Sequence, residues 1–275
     1  MARLPSGPLE VWTAGLRIGA STLLREPVLG LKRLALPVSY WRAAEFSYVG
    51  RQLKLPPGSR VFDLGSPKDL AIMFARYGGH EVISADIMPE EIELSRRYAG
   101  AQGLHGSGPG RVDAELQDGR SLPYPDASFD AAFSVSVLEH IPDQGDGQAL
   151  RELVRVVKPG GLVAITSPYD RSYRETFVEQ EVYERGFQGA PVFFERHYDP
   201  VSLEQRLLSQ VGAEVVNLEV WGERGMRVER FMAALGKGRA LLSPVEAFLS
   251  ALFLHPVSEG SSDHPMAVFF TLRKA

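Results

Sequence analysis

Short apolar runs alternate with amphipathic stretches from residue 60 to the end of the chain, and this alternation restricts the fold more than any other feature. Strand–helix–strand order at this spacing predicts βαβ units, which build a mostly parallel sheet with helices on both faces. The sequence therefore predicts an α/β fold. The predicted strands are residues 60–64, 81–86, 112–116, 129–136, 162–166, 214–220 and 266–272.

Helical patterns fill the intervals between these strands. In Asp146–Val157, apolar side chains recur at positions i, i+3, i+4 and i+7, which is typical of one buried helix face. Asp199 followed by Pro200 predicts another helix start, because aspartate is a favoured N-cap and proline suits the first helical position.

The first 57 residues predict a helical N-terminal arm. Pro56-Pro57-Gly58 ends it, since neither proline donates a backbone hydrogen bond. Residues 58–275 then form the main domain, with insertions at about 168–199 and 221–265. The arm combines apolar faces with basic residues, so contact with a membrane surface is one expected property.

Composition excludes several classes of function. The chain has no cysteine, which rules out disulfides, thiolate metal sites and cysteine nucleophiles. A net charge of −4 argues against a general nucleic-acid binder. Neither a membrane-spanning apolar run nor a signal-peptide layout is evident, so the expected location is cytoplasmic.

In a sheet of this kind, ligands bind beyond the carboxyl ends of the strands, near the point where the strand order reverses. Residues that follow each predicted strand are therefore the candidates for a site. They are Asp63–Asp69, Asp86, Asp118-Gly119, Ser134–Ile141 and Ser167–Asp170.

The order and spacing of five sequence segments resemble the class I S-adenosylmethionine-dependent methyltransferases, particularly the type 11 small-molecule group, over residues 58–167. The resemblance implies a Rossmann-like, seven-stranded, mostly parallel sheet and S-adenosyl-L-methionine as cofactor. The segments are Val61–Gly65, Asp86, Asp118–Asp130, Ser136–Ile141 and Arg151–Gly161.

The resemblance also implies roles for cofactor-binding residues. Asp86 would accept hydrogen bonds from both ribose hydroxyls, with a helix cap or loop acid as the structural alternative. Asp118 would accept from the adenine amino group, and Gly119 would leave room for the ring, whereas the alternative is an ordinary Asp-Gly turn. Gly65 would let the backbone pass close to the methionine part of the cofactor.

Three further residues are assigned to the cofactor site. Asp63 would orient the first loop or the cofactor's amino group. Ser134 lies where the fourth strand of such proteins passes the cofactor, with an ordinary strand residue as the alternative. Ser66 is predicted to be the N-cap of a helix whose positive end would face the cofactor carboxylate.

The first loop departs from the family pattern because it has one glycine, Gly65, instead of several. Ser66, Pro67 and Asp69 fit a capping box that starts the helix at once. In this interpretation Asp69 would repel a carboxylate if it pointed inward. Lys68 either compensates for that charge or is solvated, and a solvated side chain is the favoured alternative. The same lack of glycines weakens a nicotinamide-dinucleotide interpretation.

Candidate catalytic groups follow the later strands. Methyl transfer depends largely on positioning, and whether an oxygen or nitrogen acceptor also uses a base stays open. His140, Tyr169 and His197 are the candidates, each with a packing or surface role as the alternative. The histidines lack metal-ligand spacing, so no metal site is predicted.

Aromatic residues outside the core would line a pocket, although ordinary core or lid packing is expected for most of them. These residues are Tyr40, Trp41, Phe187, Phe193, Phe194 and Trp221.

The leading hypothesis is methyl transfer to a small or medium-sized, partly apolar acceptor, such as a specialised metabolite, a quinone or a lipid-like compound. The alternative is a non-catalytic binding module that keeps the fold but has a degenerate cofactor loop. A small-molecule partner is expected, nucleic acid is not, and the oligomeric state stays open.

Overall fold

A computed structural model of the chain describes residues 3–106, 110–179, 191–225, 227–236, 238, 242, 245–258 and 261–275. Within these residues the chain forms ten strands. They are β1 (Arg60–Leu64), β2 (Glu81–Asp86), β3 (Arg111–Leu116), β4 (Phe129–Val135), β5 (Val157–Pro168), β6 (Arg174–Val178), β7 (Val192–His197), β8 (Ala213–Glu223), β9 (Leu254–Pro256) and β10 (Pro265–Lys274).

The main sheet has the order β3-β2-β1-β4-β5-β10-β8-β9. Neighbours from β3 to β5 pair in parallel, whereas β10 is antiparallel to both β5 and β8. The mostly parallel α/β sheet and its seven predicted strands are confirmed. A short eighth strand, β9, was not predicted. It pairs with the last three residues of β8, Trp221–Glu223.

Helices cover both faces of this sheet. The described α-helices are α1 (Pro8–Leu23), α2 (Pro27–Ala35), α3 (Tyr40–Gln52), α4 (Lys68–Gly78), α5 (Pro89–Gln102), α6 (Gly145–Val156), α7 (Pro200–Arg206), α8 (Val228–Ala234) and α9 (Glu246–Phe253).

Alternating residues of the strands supply the two cores, as the two-residue period of a strand requires. Val61 of β1 packs in the core shared with α1, α3 and α4, whereas Phe62 packs with α6 and α7 on the other face. Long apolar runs in β1, β4 and β5 are explained by this burial on both faces.

The N-terminal helices belong to the first of these cores. Val11, Ile18 and Tyr40 are fully buried in it. The Tyr40 N–H donates to Glu246 Oε2 at 2.7 Å, which joins the start of α3 to α9. The boundary at residue 57 stays a prediction. No helix in the described part of the chain is long and apolar enough to cross a membrane.

Local sequence signals predicted the start of α7 correctly but not the start of β5. Asp199 caps α7, because its carboxylate accepts from the Ser202 N–H and the Ser202 hydroxyl accepts from the Asp199 N–H. The predicted strand 162–166 is longer in the structure, because β5 begins at Val157. Near its start the pairing register to β4 shifts and Gly160 takes a φ of +77°. In the 168–199 segment, β6 and β7 form a separate two-stranded sheet.

Candidate active site

The candidate site lies at the carboxyl ends of β1 and β4, where the strand order reverses. In α/β sheets this switch point opens the crevice that receives ligands. Gly65, directly after β1, has a φ of +63°, which suits glycine. A β-carbon at Gly65 would lie 3.0 Å from Val137 Cγ1, so the turns after β1 and β4 are in contact.

Two of the predicted cofactor residues, Ser66 and Ser134, tie these strand ends together. Ser134 Oγ donates to the Leu64 carbonyl at 2.9 Å, and Ser66 Oγ accepts from the Val135 N–H at 3.0 Å. The capping-box prediction was therefore wrong. α4 begins at Lys68 with Pro67 as N-cap and no side-chain cap, because the Ser66 hydroxyl is occupied by β4.

The prediction of a solvated Lys68 was also wrong. Its side chain is buried, with Nζ 2.8 Å from Asp86 Oδ2 and 3.5 Å from Glu91 Oε2. Burial lowers the pKa of Lys68, but the carboxylates of Asp86 and Asp63 outweigh burial and raise it above its ordinary value. The site thus contains a buried ammonium–carboxylate pair beside the first loop.

Asp63 is fully buried below this loop. Its Oδ2 accepts from Ser84 Oγ at 2.8 Å, and its Oδ1 accepts from the Ser66 N–H at 3.2 Å. Burial raises the pKa of Asp63 to about 6, although the charge of Lys68 opposes this effect. Asp63 therefore fixes the loop backbone through the Ser66 N–H.

Asp69, which follows Lys68, is joined to the N-terminal arm. Its Oδ2 lies 2.7 Å from Arg33 Nη1 of α2, and the Asp69 side chain is buried. Arg33 Nε also donates to the Tyr98 hydroxyl at 2.6 Å. Arg33 therefore balances the negative charge of Asp69, which would otherwise repel a cofactor carboxylate. Sequence analysis did not connect Arg33 to the site.

The turn after β3 contains Asp118 and Gly119. The Asp118 carboxylate accepts from the Arg120 N–H at 2.9 Å and from Arg120 Nη2 at 2.7 Å, and these bonds lower the pKa of Asp118. A β-carbon at Gly119 would lie 2.7 Å from Leu64 Cδ2. Glycine therefore lets this turn approach the end of β1 closely.

A buried network of α3 and the ends of β4 and β5 was missed by sequence analysis. Glu45 Oε1 accepts from Ser136 Oγ at 2.7 Å and from Thr166 Oγ1 at 2.9 Å. Arg42 Nη1 donates to Glu45 Oε2 at 2.7 Å and to Ser136 Oγ at 2.8 Å. The available signal was the pair Arg42 and Glu45, three residues apart within a largely aromatic and apolar helical stretch.

His140 lies in a 3₁₀ turn, Leu138–His140, directly after β4. Its Nδ1 is 2.9 Å from the Phe194 carbonyl oxygen. Because a carbonyl only accepts, Nδ1 carries a proton, which in a neutral ring leaves the lone pair on Nε2. Nε2 lies 3.9 Å from Glu139 Oε1.

Glu139 lies in the candidate segment Ser134–Ile141, but no role was predicted for it. It is fully buried, and its Oε2 accepts from Ser167 Oγ at 3.0 Å. Burial raises the pKa of Glu139 to about 8, and the nearby carboxylate of Glu45 acts in the same direction. At neutral pH the Glu139 carboxyl therefore holds a proton beside His140.

Tyr169 and His197 lie where the hairpin of β6 and β7 joins the sheet. Tyr169 follows β5, donates its N–H to the Met266 carbonyl at 2.9 Å and forms a parallel bridge with Tyr198. His197 Nδ1 accepts from Arg174 Nη2 at 2.9 Å, and its Nε2 donates to Glu195 Oε1 at 3.1 Å. Both ring nitrogens of His197 are thus engaged inside the hairpin.

The aromatic residues proposed to line a pocket mainly pack against other rings. Tyr40 contacts Trp41, Trp221 stacks on Phe269, Phe193 contacts Phe177, and Phe194 contacts His140 edge to face. Phe187 lies outside the described residues.

Trp221 also borders a cavity of about 210 Å³ between α3, α9 and the end of β8. Its lining is largely apolar and includes the α3 residues Ala44 and Ser47 on a face next to Glu45. The lining residues are Pro8, Ala44, Ser47, Arg51, Trp221, Ser250, Ala251 and Leu254.

This sheet topology and the cluster at the strand ends define a class I methyltransferase fold. Residues 62–165, which run from β1 to β5, match the family described as a methyltransferase domain of type 11. The match covers the core of the chain from β1 to β5, and this core is therefore similar to a methyltransferase domain of type 11.

Two curated relatives illustrate the similarity. The methyltransferase GfsG of Streptomyces halstedii is 34% identical over 115 residues, which are 42% of this chain and 39% of that protein. The 2-methyl-6-phytyl-1,4-hydroquinone methyltransferase of Synechocystis sp. is 31% identical over 124 residues, 44% of this chain and 36% of that protein. The match thus spans about two fifths of these relatives.

Among solved structures, the [4+2]-cyclase SpnF is similar over 86% of this chain and 84% of its own, with 25% identity and a TM-score of 0.57. This likeness extends beyond the matched core and includes much of the arm and the insertions.

Proposed function

We propose that this protein transfers the methyl group of S-adenosyl-L-methionine to a small or medium-sized, partly apolar acceptor by in-line displacement. The observation that carries the proposal is the convergence of the turns after β1, β3 and β4 at one strand-order reversal, within the segment that matches the methyltransferase family. The proposed location is the cytoplasm.

The proposed cofactor residues occupy this convergence. Asp86 accepts from the ribose hydroxyls, since each carboxylate oxygen has two lone pairs and the Lys68 ammonium uses one of them. Asp118 accepts from the adenine amino group beside Gly119. Asp63, Gly65, Ser66 and Ser134 hold the first loop in place for the methionine part. The bound cofactor supplies an electrophilic methyl group.

Lys68 adds a positioning role to this proposal. It holds Asp86 Oδ2, while the Met88 N–H donates to Asp86 Oδ1 at 3.1 Å, so the carboxylate is fixed from two sides. A pre-oriented acceptor loses less entropy on binding than a mobile one. Lys68 thus holds the Asp86 carboxylate in position for the ribose hydroxyls.

His140 is the proposed base for an oxygen or nitrogen acceptor. The Phe194 carbonyl fixes the ring tautomer, and Nε2 is the nitrogen that would take the acceptor's proton. Tyr169 and His197 remain proposed acceptor-side groups, although the two bonds of the His197 ring favour a role in holding the hairpin.

An apolar acceptor is favoured by two observations. The cavity beside α3 has a largely apolar lining. In addition, one relative is by its name a methyltransferase of a hydroquinone that carries a phytyl chain. We therefore propose quinone-like, lipid-like or specialised-metabolite acceptors as the first compounds to test.

A second candidate is a non-catalytic or non-transferring protein of the same fold. The first loop favours it, because the loop has one glycine, Gly65, where the family pattern has several. The similarity to a [4+2]-cyclase favours it too, since one fold can host different chemistries.

Calorimetry with S-adenosylmethionine and S-adenosylhomocysteine separates the candidates. We expect both ligands to bind, Asp86→Asn to weaken binding at least tenfold, and Glu214→Gln, an exposed acid on β8, to leave it unchanged. Transfer of labelled methyl to an acceptor panel then tests catalysis. Binding without transfer to any acceptor would support the second candidate, and absence of binding at millimolar ligand would refute the first.

A further inference from the structure

We propose that the segment Leu24–Leu36, which is α2 with its flanking residues, docks on the surface of an anionic lipid bilayer. Four large apolar side chains of this segment, here called the α2 ridge, face solvent. Leu24 is 85% exposed, Val28 68%, Leu31 58% and Leu36 43%. Helices of globular proteins normally turn their apolar side towards the core. An apolar ridge that faces solvent therefore indicates a surface that binds a partner.

The orientation of the ridge is fixed by contacts on the opposite side of α2. Gly30 is the buried residue of α2, and a β-carbon there would lie 2.4 Å from Leu23 Cα of α1. The backbones of α1 and α2 therefore approach closely at this point. Arg33, on the same inner side, pairs with buried Asp69 of α4. The helix cannot rotate its ridge inward without losing both contacts.

Basic residues surround the ridge. Residues 11–44 contain five arginines and lysines and one acid, Glu26, although the whole chain has a net charge of −4. Arg33 pairs with Asp69 and Arg42 with Glu45, so the positive border consists of Arg17, Arg25 and Lys32. Glu26 is neutralised by Arg97 at 2.6 Å. Arg25 donates to the carbonyls of Gly100 and Ala101, which carry no net charge, so its own charge persists. Arg17 and Lys32 are exposed.

This combination of apolar ridge and positive border fits a membrane better than a second copy of the chain. In a symmetric dimer through the ridge, the same basic border would face itself, and like charges opposite one another are unfavourable. A bilayer with anionic headgroups buries the apolar side chains and attracts each nearby lysine or arginine. The inference does not depend on the proposed reaction.

The test is co-sedimentation of the full chain with vesicles of phosphatidylcholine alone and of phosphatidylcholine mixed with phosphatidylglycerol. We expect binding to the anionic vesicles that weakens with added salt, and at least tenfold weaker binding to the neutral ones. The triple variant Leu24→Ser/Val28→Ser/Leu31→Ser, and separately Arg17→Glu/Lys32→Glu, should each reduce anionic-vesicle binding at least tenfold.

Val201→Ser is the matched control. Val201 is an apolar residue, 59% exposed, on α7, which packs on the opposite face of the sheet. This variant should bind vesicles like the wild type. All substituted side chains are exposed, so unchanged thermal unfolding is expected and shows that the variants are folded.

Three results would overturn the inference. They are no binding of the wild type to anionic vesicles at low salt, wild-type binding by the triple variant, or equal loss with Val201→Ser. A wild-type dimer in vesicle-free sedimentation that the triple variant dissociates would assign the ridge to a second copy instead.

Discussion

Replacing Glu139 by glutamine should make the protein's stability less dependent on pH. Glu139 is fully buried, and burial raises its pKa from 4.5 to about 8. Between these values the unfolded chain releases the proton while the folded protein retains it. The contribution of Glu139 to stability is thus fully present below pH 4.5 and is lost as the pH rises towards 8.

The size of the effect follows from the shift. One pKa unit corresponds to about 1.4 kcal/mol, so the full shift of Glu139 sets a ceiling of about 5 kcal/mol. Relaxation and water entry around a buried charge reduce such penalties. Between pH 5 and pH 7.5 we therefore expect the wild type to lose about 1–3 kcal/mol relative to Glu139→Gln.

Urea unfolding of both proteins at pH 5 and pH 7.5 measures this difference. Glutamine matches the protonated carboxyl in shape, and its carbonyl still accepts from Ser167 Oγ. Glu214→Gln, at an exposed glutamate beside Arg273, is the control and should change with pH like the wild type. If the difference between wild type and Glu139→Gln is the same at both pH values, Glu139 is ionised in the folded protein and the reasoning fails.

Two further substitutions test one contact in the first loop of the candidate site and one between α6 and β7. Gly65→Ala forces a non-glycine residue to a φ of +63° and places a β-carbon against Val137. We therefore expect the free energy of unfolding in urea to fall by about 1–2 kcal/mol and S-adenosylhomocysteine to bind more weakly. Unchanged affinity would show that the loop does not contact the ligand. Asp146→Ala removes the carboxylate that buried Arg196 contacts at 3.0 Å. We expect the free energy of unfolding in urea to fall by about 3–5 kcal/mol, because the Arg196 charge is left buried without this partner. A decrease below about 1 kcal/mol would mean that Arg196 finds another acceptor.

The parts of the fold that sequence analysis predicted correctly depend on short-range patterns. The seven main strands follow from apolar runs bounded by turn residues, and the start of α7 follows from Asp199 and Pro200. β9 was missed because it has three residues and forms by pairing with the end of β8. A segment so short has no periodicity of its own.

The errors at the first loop arise from tertiary partners. Ser66 looked like an N-cap, but its hydroxyl accepts from Val135, 69 residues away. Lys68 looked solvated, but Asp86 lies 18 residues further along the chain and folds beside it. Local spacing suggests a partner close in sequence for each side chain. The fold instead brings a partner from far along the chain within hydrogen-bond distance.

The missed network also shows why the arm matters to the site. Ser136 has a φ of +54°, a conformation that costs a non-glycine residue free energy unless its surroundings hold it. Its N–H donates to the Thr166 carbonyl at 3.0 Å, and its hydroxyl donates to Glu45 of α3 at 2.7 Å.

Ser136 directs the chain from β4 into the turn that carries Glu139 and His140, so the bond to Glu45 helps to set where these two side chains lie. Glu45 can stay buried beside them because Arg42, one helical turn earlier, balances its charge. The arm therefore contributes to the geometry of the proposed acceptor side, and its sequence should influence acceptor choice as directly as the strand ends do.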